Sequence, residues 1–583
     1  MLLALINIIL WSIAVVGWGY PVVRIFFPKA LETRAFQDRL LLELLSGLAI
    51  LGVLAQIVNF FSPINSWIVS IALAGGILLF SIDRLRHPMK IQCSRSTIIF
   101  ALFWLLILTI NTGLLTSAYD TGLYHLQSIK WMNATPVPFG LANLHNRFGF
   151  NSAWFSINAM LRQIPWQANG PGYFLPAQIL AWLYGIAAWL GLVNMLNHKI
   201  RLPSDIFLAA TSLILLSGRV RGQLNSPSPD LPIVLVIFTS VYFCLRAFDR
   251  QIDWLSAIHI TTFLALFGMT IKLSAVPMFL LPVILWVIAR REGQAPILKA
   301  LILPIVGMFS LFVLPWLLRG TALSGCLVYP VAFTCIPTLP WSEDPSSAMK
   351  LSRIIYAWAR LPHAPPEQVL ANWSWLKPWL AKNMLTREMV MLAALTLAGA
   401  LLLWRARIRF GNSAAYIKEI ALLITGLSLG SVYWFLTAPD IRFGVGYLLS
   451  IPLVVISGWL SAMAPLESFS PNLSGAQKAV FTLIVFMAVF GLVLLARSSI
   501  EQLRHLAGTP SMLLSDLDTI PSVQVRARQT NSGDFLYVPT SGDRCWGAQL
   551  PCTPQFNENI QFVNWGSSHP WILDSTYSGV GIK

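Results

Sequence analysis

Charge is the scarcest property of this sequence. Asp, Glu, Lys and Arg together make up 11% of its 583 residues, where a soluble domain carries about 25%. A soluble multidomain enzyme is therefore excluded, although the length alone would suit about three or four ordinary domains. Apolar residues are abundant instead, at 56% hydrophobic with a mean hydropathy of +0.67, which excludes a disordered chain. The alternating segments of a membrane β-barrel are missing as well, and long unbroken apolar runs stand in their place. Helices and closed barrels are the structures that satisfy their backbone groups in lipid. The chain therefore reads as an all-α polytopic membrane protein.

Other absences narrow its function. The net charge of +16 comes without a Gly-rich phosphate loop, zinc-finger spacing or RNA-binding signature. That excess of Lys and Arg belongs to the cytoplasmic ends of spans rather than to nucleic-acid binding. No low-complexity segment, short internal repeat or inverted repeat of the transporter kind is visible. The first apolar run lacks the basic flank and cleavage site of a signal peptide and reads as a retained span.

Crossing the hydrocarbon core takes about 20 apolar residues. Fourteen candidate spans meet or approach this: 2–23, 41–61, 65–82, 97–117, 172–196, 204–217, 231–248, 254–271, 273–289, 298–318, 388–404, 417–437, 443–463 and 477–496, the sixth being short. They divide the chain into 1–117 with spans one to four, a loop at 118–171, spans five to ten in 172–318, a Trp-rich loop at 319–387, spans eleven to fourteen in 388–496, and a polar tail at 497–583. One set of loops is short and basic, with Lys29, Arg34, Arg39, Arg84, Arg86, Lys90, Arg95, Lys199, Arg201, Arg246, Arg250, Arg290, Arg291, Arg405, Arg407 and Arg409. The other set contains every long segment. The positive-inside rule makes the basic loops cytoplasmic and both termini external or periplasmic. A bacterial inner membrane is the expected location. The tail carries strand-like pieces such as DFLYVP and reads as a small α+β unit.

The six cysteines agree with that topology. Cys326 with Cys335, and Cys545 with Cys552, are close pairs on the external side, whereas Cys93 and Cys244 are single residues on or near the cytoplasmic side. An oxidising exterior predicts disulfides Cys326–Cys335 and Cys545–Cys552; four free thiols are the alternative.

Chemistry-bearing residues gather at the external ends of the spans. In SAYDTGLYHLQSIKWM, Asp120 precedes a stretch that, if helical, puts Tyr124 on its face and His125 one position round. Helix capping would account for the Asp alone. In LANLHNRFGFNSAWF, His145, Asn146, Arg147 and Asn151 are crowded into a segment expected to re-enter or lie at the interface, held by Trp154 and Phe155. In GRVRGQLNSPSPDLP, Arg219 and Arg221 sit against the positive-inside trend and ask for an anion, and Asp230 opens the next helix, where capping is the plain alternative. Lys272 lies deep in an apolar stretch; it is tolerable at a break facing a polar cavity, or by snorkelling. In LTAPDIRFGVGY, Asp440 and Arg442 form a local pair or present a phosphate fork.

These residues resemble those of the GT-C class of glycosyltransferases, polytopic enzymes that use lipid-phosphate-linked sugars. Asp120 matches their catalytic acid in an early external loop, and PDIRF at 439–443 is similar to their Arg-containing turn near the late spans. The chain as a whole also resembles a group of bacterial multi-span proteins of uncharacterised function, marked by YDTGLYH-, NLHNRFGFNS-, SPSPD- and TIKLS-like segments and a CW…PC tail. Two departures stand out: three additional spans precede Asp120, and no DD or DE pair is present. The second leaves no diagnostic metal motif. Asp120, Asp230 and the histidines are the ligands available to a divalent metal, and no other cofactor is indicated.

The resemblance implies transfer of a sugar from a polyprenyl-phosphate donor to a glycan, lipid or protein acceptor at the external face. Asp120 would act as general base, and Tyr124, His125, His145, Arg147, Arg221, Asp230, Lys272, Asp440 and Arg442 would bind substrate. A polysaccharide polymerase or ligase would share this site, and a transporter or flippase of lipid-linked glycan is the non-enzymatic alternative. Trp341, Trp358, Trp373, Trp375 and Trp379 could stack sugar rings or form an interfacial belt.

Overall fold

The structure is a computed structural model. It describes residues 2–29, 35–87, 94–113, 116, 118–162, 174–197, 202–215, 222–294, 296–409, 414–462, 520–562 and 571–573. The described chain is mostly helical, with small sheets at its C-terminal end.

Among the described residues ten helices are long and apolar enough to cross a membrane, from Leu2–Phe26 to Ile441–Ser461. They account for ten of the fourteen expected spans. Two more of the expected spans, around 97–117 and 204–217, correspond to shorter helices, Arg95–Asn111 of 17 residues and Pro203–Leu215 of 13. The expected span at 388–404 falls within helix Arg387–Arg409. The expected span at 477–496 lies outside the described residues.

Close packing begins at the first two helices. Leu2–Phe26 and Phe36–Phe61 cross at Gly19 and Gly47; a Cβ on Gly19 would fall 1.8 Å from the Glu43 carbonyl oxygen. Small residues at a crossing let two backbones approach this far, the usual device where lipid removes the hydrophobic drive between helices. Helix Asp230–Phe248 runs through the centre and is buried along its whole length. Helix Trp254–Ile271 is capped by Asp253, which accepts from the Ser256 amide, and stops where Lys272 turns extended. A 3₁₀ segment, Leu273–Phe279, follows before helix Leu280–Arg291. The apolar stretch is therefore broken at its one cation, as the cost of a buried charge requires.

The long loops pack into the protein. In the segment expected to re-enter or lie at the interface, Trp154 and Phe155 are buried, and helix Ala153–Met160 packs against Phe36–Phe61. In the second loop, Trp375 and Trp379 form a buried cluster with Trp434, and Trp341 packs on Phe139 and donates to the Thr321 carbonyl. Trp358 is half-exposed and lines the cavity described below.

The described part of the tail contains strands and turns rather than an α+β unit. Val525–Gln529 pairs antiparallel with Phe535–Pro539, and Ile560–Phe562 with Trp571–Leu573. Both expected disulfides, Cys326–Cys335 and Cys545–Cys552, are formed. Cys244 is a buried free thiol, and Cys93 lies outside the described residues.

Candidate functional site

A cavity of about 1090 Å³ opens where many distant stretches of chain meet. Tyr119, Asp120, Tyr124 and His125 line it from the first long loop, joined by His145, Arg147 and Asn151. Asp230, Lys272, Asp440 and Arg442 come from helix ends. Of the residues singled out in the sequence, Arg219 and Arg221 lie outside the described residues.

Asp120 and Asp230 are not helix caps. Asp120 makes no capping bond; its Oδ2 instead accepts from Arg442 Nη1 at 3.1 Å, and its Oδ1 stands 4.0 Å from Arg147 Nη1. Asp230 likewise turns its carboxylate to Lys272 Nζ, and Arg442 Nη1 lies 3.8 Å from its other oxygen. Arg442 also closes a local fork on Asp440, through its amide and its Nε, both at 3.1 Å. The local pair expected of PDIRF is formed, and Arg442 reaches Asp120 and Asp230 as well. Phe443 supports the cations from below: Lys272 Nζ is 3.6 Å and the Arg442 guanidinium 4.7 Å from its ring centroid.

Three cations and three carboxylates thus form one network: Arg147, Lys272 and Arg442 against Asp120, Asp230 and Asp440. Arg442 is its hub. Arg147 is the least committed cation, since its one carboxylate contact is the long one to Asp120. Lys272 is engaged by Asp230 rather than snorkelling to the surface.

The turn after Asp120 is a π-helical segment, Thr121–His125, not a plain α-helix. Such insertions widen a helix by one residue and favour functional sites. Thr121 anchors it through a 2.6 Å hydroxyl contact with Ser226, just before Asp230. Burial, the dominant effect, holds His125 down to about 4 and His145 down to about 3, so both are neutral imidazoles at pH 7. Burial raises the Tyr124 phenol well above its usual range, and the neighbouring Asp120 charge adds to this. None of these three groups supplies charge near pH 7; they shape a partly desolvated wall.

The residues present do not suit a divalent metal. Among the described residues no group of three His, Cys, Asp or Glu side chains converges. The Arg442 guanidinium, moreover, occupies the place between Asp120 and Asp230 where a bridging cation would sit.

The lining also includes apolar side chains: Leu327, Val331, Leu351, Ile354, Ile355 and Trp358, from the Cys326–Cys335 hairpin and helix Pro345–Arg360, beside Ser352, Tyr356 and Arg360 of the same helix. One cavity therefore has both charged and apolar lining.

Several features were not read from the sequence. Arg39, placed among the loop cations, is buried in an ion network with Glu43 and Asp83, which Arg84 completes. Arg246 pairs with Asp38 at 2.5 Å, and Tyr242 donates to the same carboxylate. The signal available was an Asp and a Glu inside the otherwise apolar run FQDRLLLELL. Buried Arg319 donates to Asn151 Oδ1 at 2.8 Å behind the cavity wall. The tail also reaches the site, with Asp543, Pro554 and Gln555 on its wall.

Fold and site together define a multi-pass helical membrane protein with an amphipathic, ion-lined chamber. The chain belongs to the family described as a domain of unknown function, DUF8201, whose model matches residues 1–449. That span includes every charged residue of the network just described. No curated protein and no solved structure matches the chain.

Proposed function

We propose that this protein is a membrane glycosyltransferase that moves a sugar from a polyprenyl-phosphate donor to an acceptor hydroxyl, with Asp120 as general base. The observation that carries the reading is Asp120 held against Arg442 and Arg147 inside a cavity that also has apolar lining. A lipid phosphate has the same two-part character. Its isoprenoid would lie along Leu351, Ile354 and Ile355, and its phosphate would meet Arg442, Arg147 and Lys272.

The chemistry follows from the network. The donor phosphate competes with Asp120 for Arg442. Once the phosphate engages Arg442, the Asp120 carboxylate is free to accept a hydrogen bond from the acceptor hydroxyl. Asp120 then takes the acceptor proton, the acceptor oxygen bonds to the anomeric carbon, and the carbon–oxygen bond to phosphate breaks. The charge gained by the departing phosphate is stabilised by the same cations. The cavity, at about 1090 Å³, is at the large end of the usual range of about 300–1,000 Å³ for ligand sites. A polymerase or ligase transferring a longer glycan would use the same groups.

Orientation belongs to the same proposal. Both disulfides adjoin the cavity, through Leu327 and Tyr329 on one side and Asp543 and Pro554 on the other. Disulfides form on the oxidising side of a membrane, so the chamber faces the periplasm or exterior of a bacterial inner membrane, with the basic loops inside.

One observation favours a transporter or flippase instead. Helix Asp230–Phe248 carries a buried ion pair at each end, Asp230–Lys272 and Arg246–Asp38. A transporter would need a path between them, and the cavity lining includes neither Asp38 nor Arg246. The deciding experiment compares membranes carrying wild type or Asp120→Asn by mass spectrometry of lipid-linked sugars and envelope glycans. The enzyme reading expects a polyprenyl-phosphate sugar to accumulate and one glycan to lose a residue in the variant. Identical profiles would remove it.

A further inference from the structure

The tail is joined to the charged site by a dense set of contacts. Loop 544–553, closed by Cys545–Cys552, lies on the helix that follows Asp120. The Trp546 amide donates to the Gly122 carbonyl at 2.9 Å, inside the π-helical turn. One face of that helix answers: Gln127 Nε2 donates to the Trp546 and Ala548 carbonyls, and Lys130 Nζ to those of Gly547 and Ala548, all within 3.0 Å. Gln127 and Lys130 are three apart and so share a face. The Trp546 ring covers Gly122 so closely that a Cβ there would meet it at 2.6 Å.

The same loop holds a second segment. Thr553 Oγ1 donates to the Leu144 carbonyl at 3.1 Å, immediately before His145 and Arg147. Thr553 itself is tied back to the tail, since its amide donates to the Tyr537 carbonyl at 3.0 Å. Tyr119, next to Asp120, donates to Asp543 at the edge of the loop. The two segments bridged by this loop are those that carry the Arg147–Asp120 contact.

We propose that the disulfide-stapled loop 544–553 is a positioning element of the site, clamping the Asp120 turn and the Arg147 turn at a fixed separation. The inference holds whatever ligand the cavity takes. Without the loop, Gly122, Gln127 and Lys130 lose their partners, and a π-helical turn, which has a weaker hydrogen-bond ladder than an α-helix, is free to relax. A closed loop is already ordered when it docks, so little conformational entropy opposes the contact. The family model matches residues 1–449, so the clamp lies beyond the matched residues.

Hydrogen exchange on the full-length protein in nanodiscs tests this without reference to catalysis. Trp546→Ala and the double variant Cys545→Ser/Cys552→Ser should speed exchange at least tenfold in two windows, 121–131 and 144–150. Helix Trp254–Ile271 should exchange as in wild type. Trp546→Phe, which keeps a ring over Gly122, should return both windows to within threefold of wild type; a purely architectural role would not depend on that ring. Wild-type rates in 121–131 for either loosening variant, or Phe behaving like Ala, would overturn the proposal. Should Trp546→Ala fail to fold, the disulfide variant decides.

Discussion

Arg442 donates to Asp120 across 322 positions of sequence, through Nη1 and Oδ2 at 3.1 Å. Under the proposed function, a donor phosphate would take the guanidinium and leave the Asp120 carboxylate to the acceptor hydroxyl.

Asp120→Asn should therefore separate binding from turnover. Loss of a positioned general base costs about 10²–10⁴ in rate. The amide no longer competes as an anion for Arg442, so affinity for a polyprenyl phosphate should hold or rise by a few-fold. Steady-state transfer and lipid-phosphate titration on the same preparation check this, with thermal unfolding expected to stay near wild type.

Arg442→Ala should weaken polyprenyl-phosphate binding by at least tenfold, corresponding to about 1.4 kcal/mol. Arg290, exposed at a basic helix end away from the cavity, supplies the control. Arg290→Ala should bind as wild type does; equal losses would show that the effect is general charge rather than the site.

Lys272→Met should destabilise the fold more than it alters binding. It strips Asp230, a buried acid, of its close partner and leaves only Arg442 at 3.8 Å. Removing one member of a buried pair costs on the order of 3 kcal/mol. The double variant Asp230→Asn/Lys272→Met should recover much of that, because two contacting residues do not act additively. Denaturation midpoints of the two single variants and the double variant in detergent measure the coupling.

Glu343 supplies a pH signature outside the spans. Burial pushes its carboxyl up to about 7 from the usual 4.5, against a smaller opposing effect of Tyr329. The unfolded chain thus releases this proton near 4.5 and the folded chain near 7. Between those values the folded state binds more protons, and the stability Glu343 contributes falls as pH rises. His125 and His145, with lowered values, act oppositely, losing stability as pH falls below about 6.5. The difference between wild type and Glu343→Gln isolates the first effect. Melting temperatures from pH 4.5 to 7.5 should show wild type losing ground to the variant as pH rises.

Much of this was legible in the sequence because lipid is a strict solvent. A Lys in an apolar run has to sit at a break, and Lys272 does. Cysteines paired closely in sequence were expected to find each other, and both pairs do. Polar residues from several span ends met in one cavity. What escaped has a common cause. Buried networks such as Arg39–Glu43–Asp83 look in sequence like ordinary loop charge and an odd acid. Trp154 and Phe155 carry no mark that separates a core position from an interfacial one. The docking of Trp546 on Gly122 depends on a backbone carbonyl and a missing side chain, and neither leaves a periodic pattern.

The most direct test of the central claim is a titration of the purified protein in nanodiscs with polyprenyl phosphate, wild type beside Asp120→Asn and Arg442→Ala. The account predicts saturable binding that persists or tightens in the first variant and drops at least tenfold in the second. Binding that ignores Arg442, or that disappears with Asp120, would contradict it.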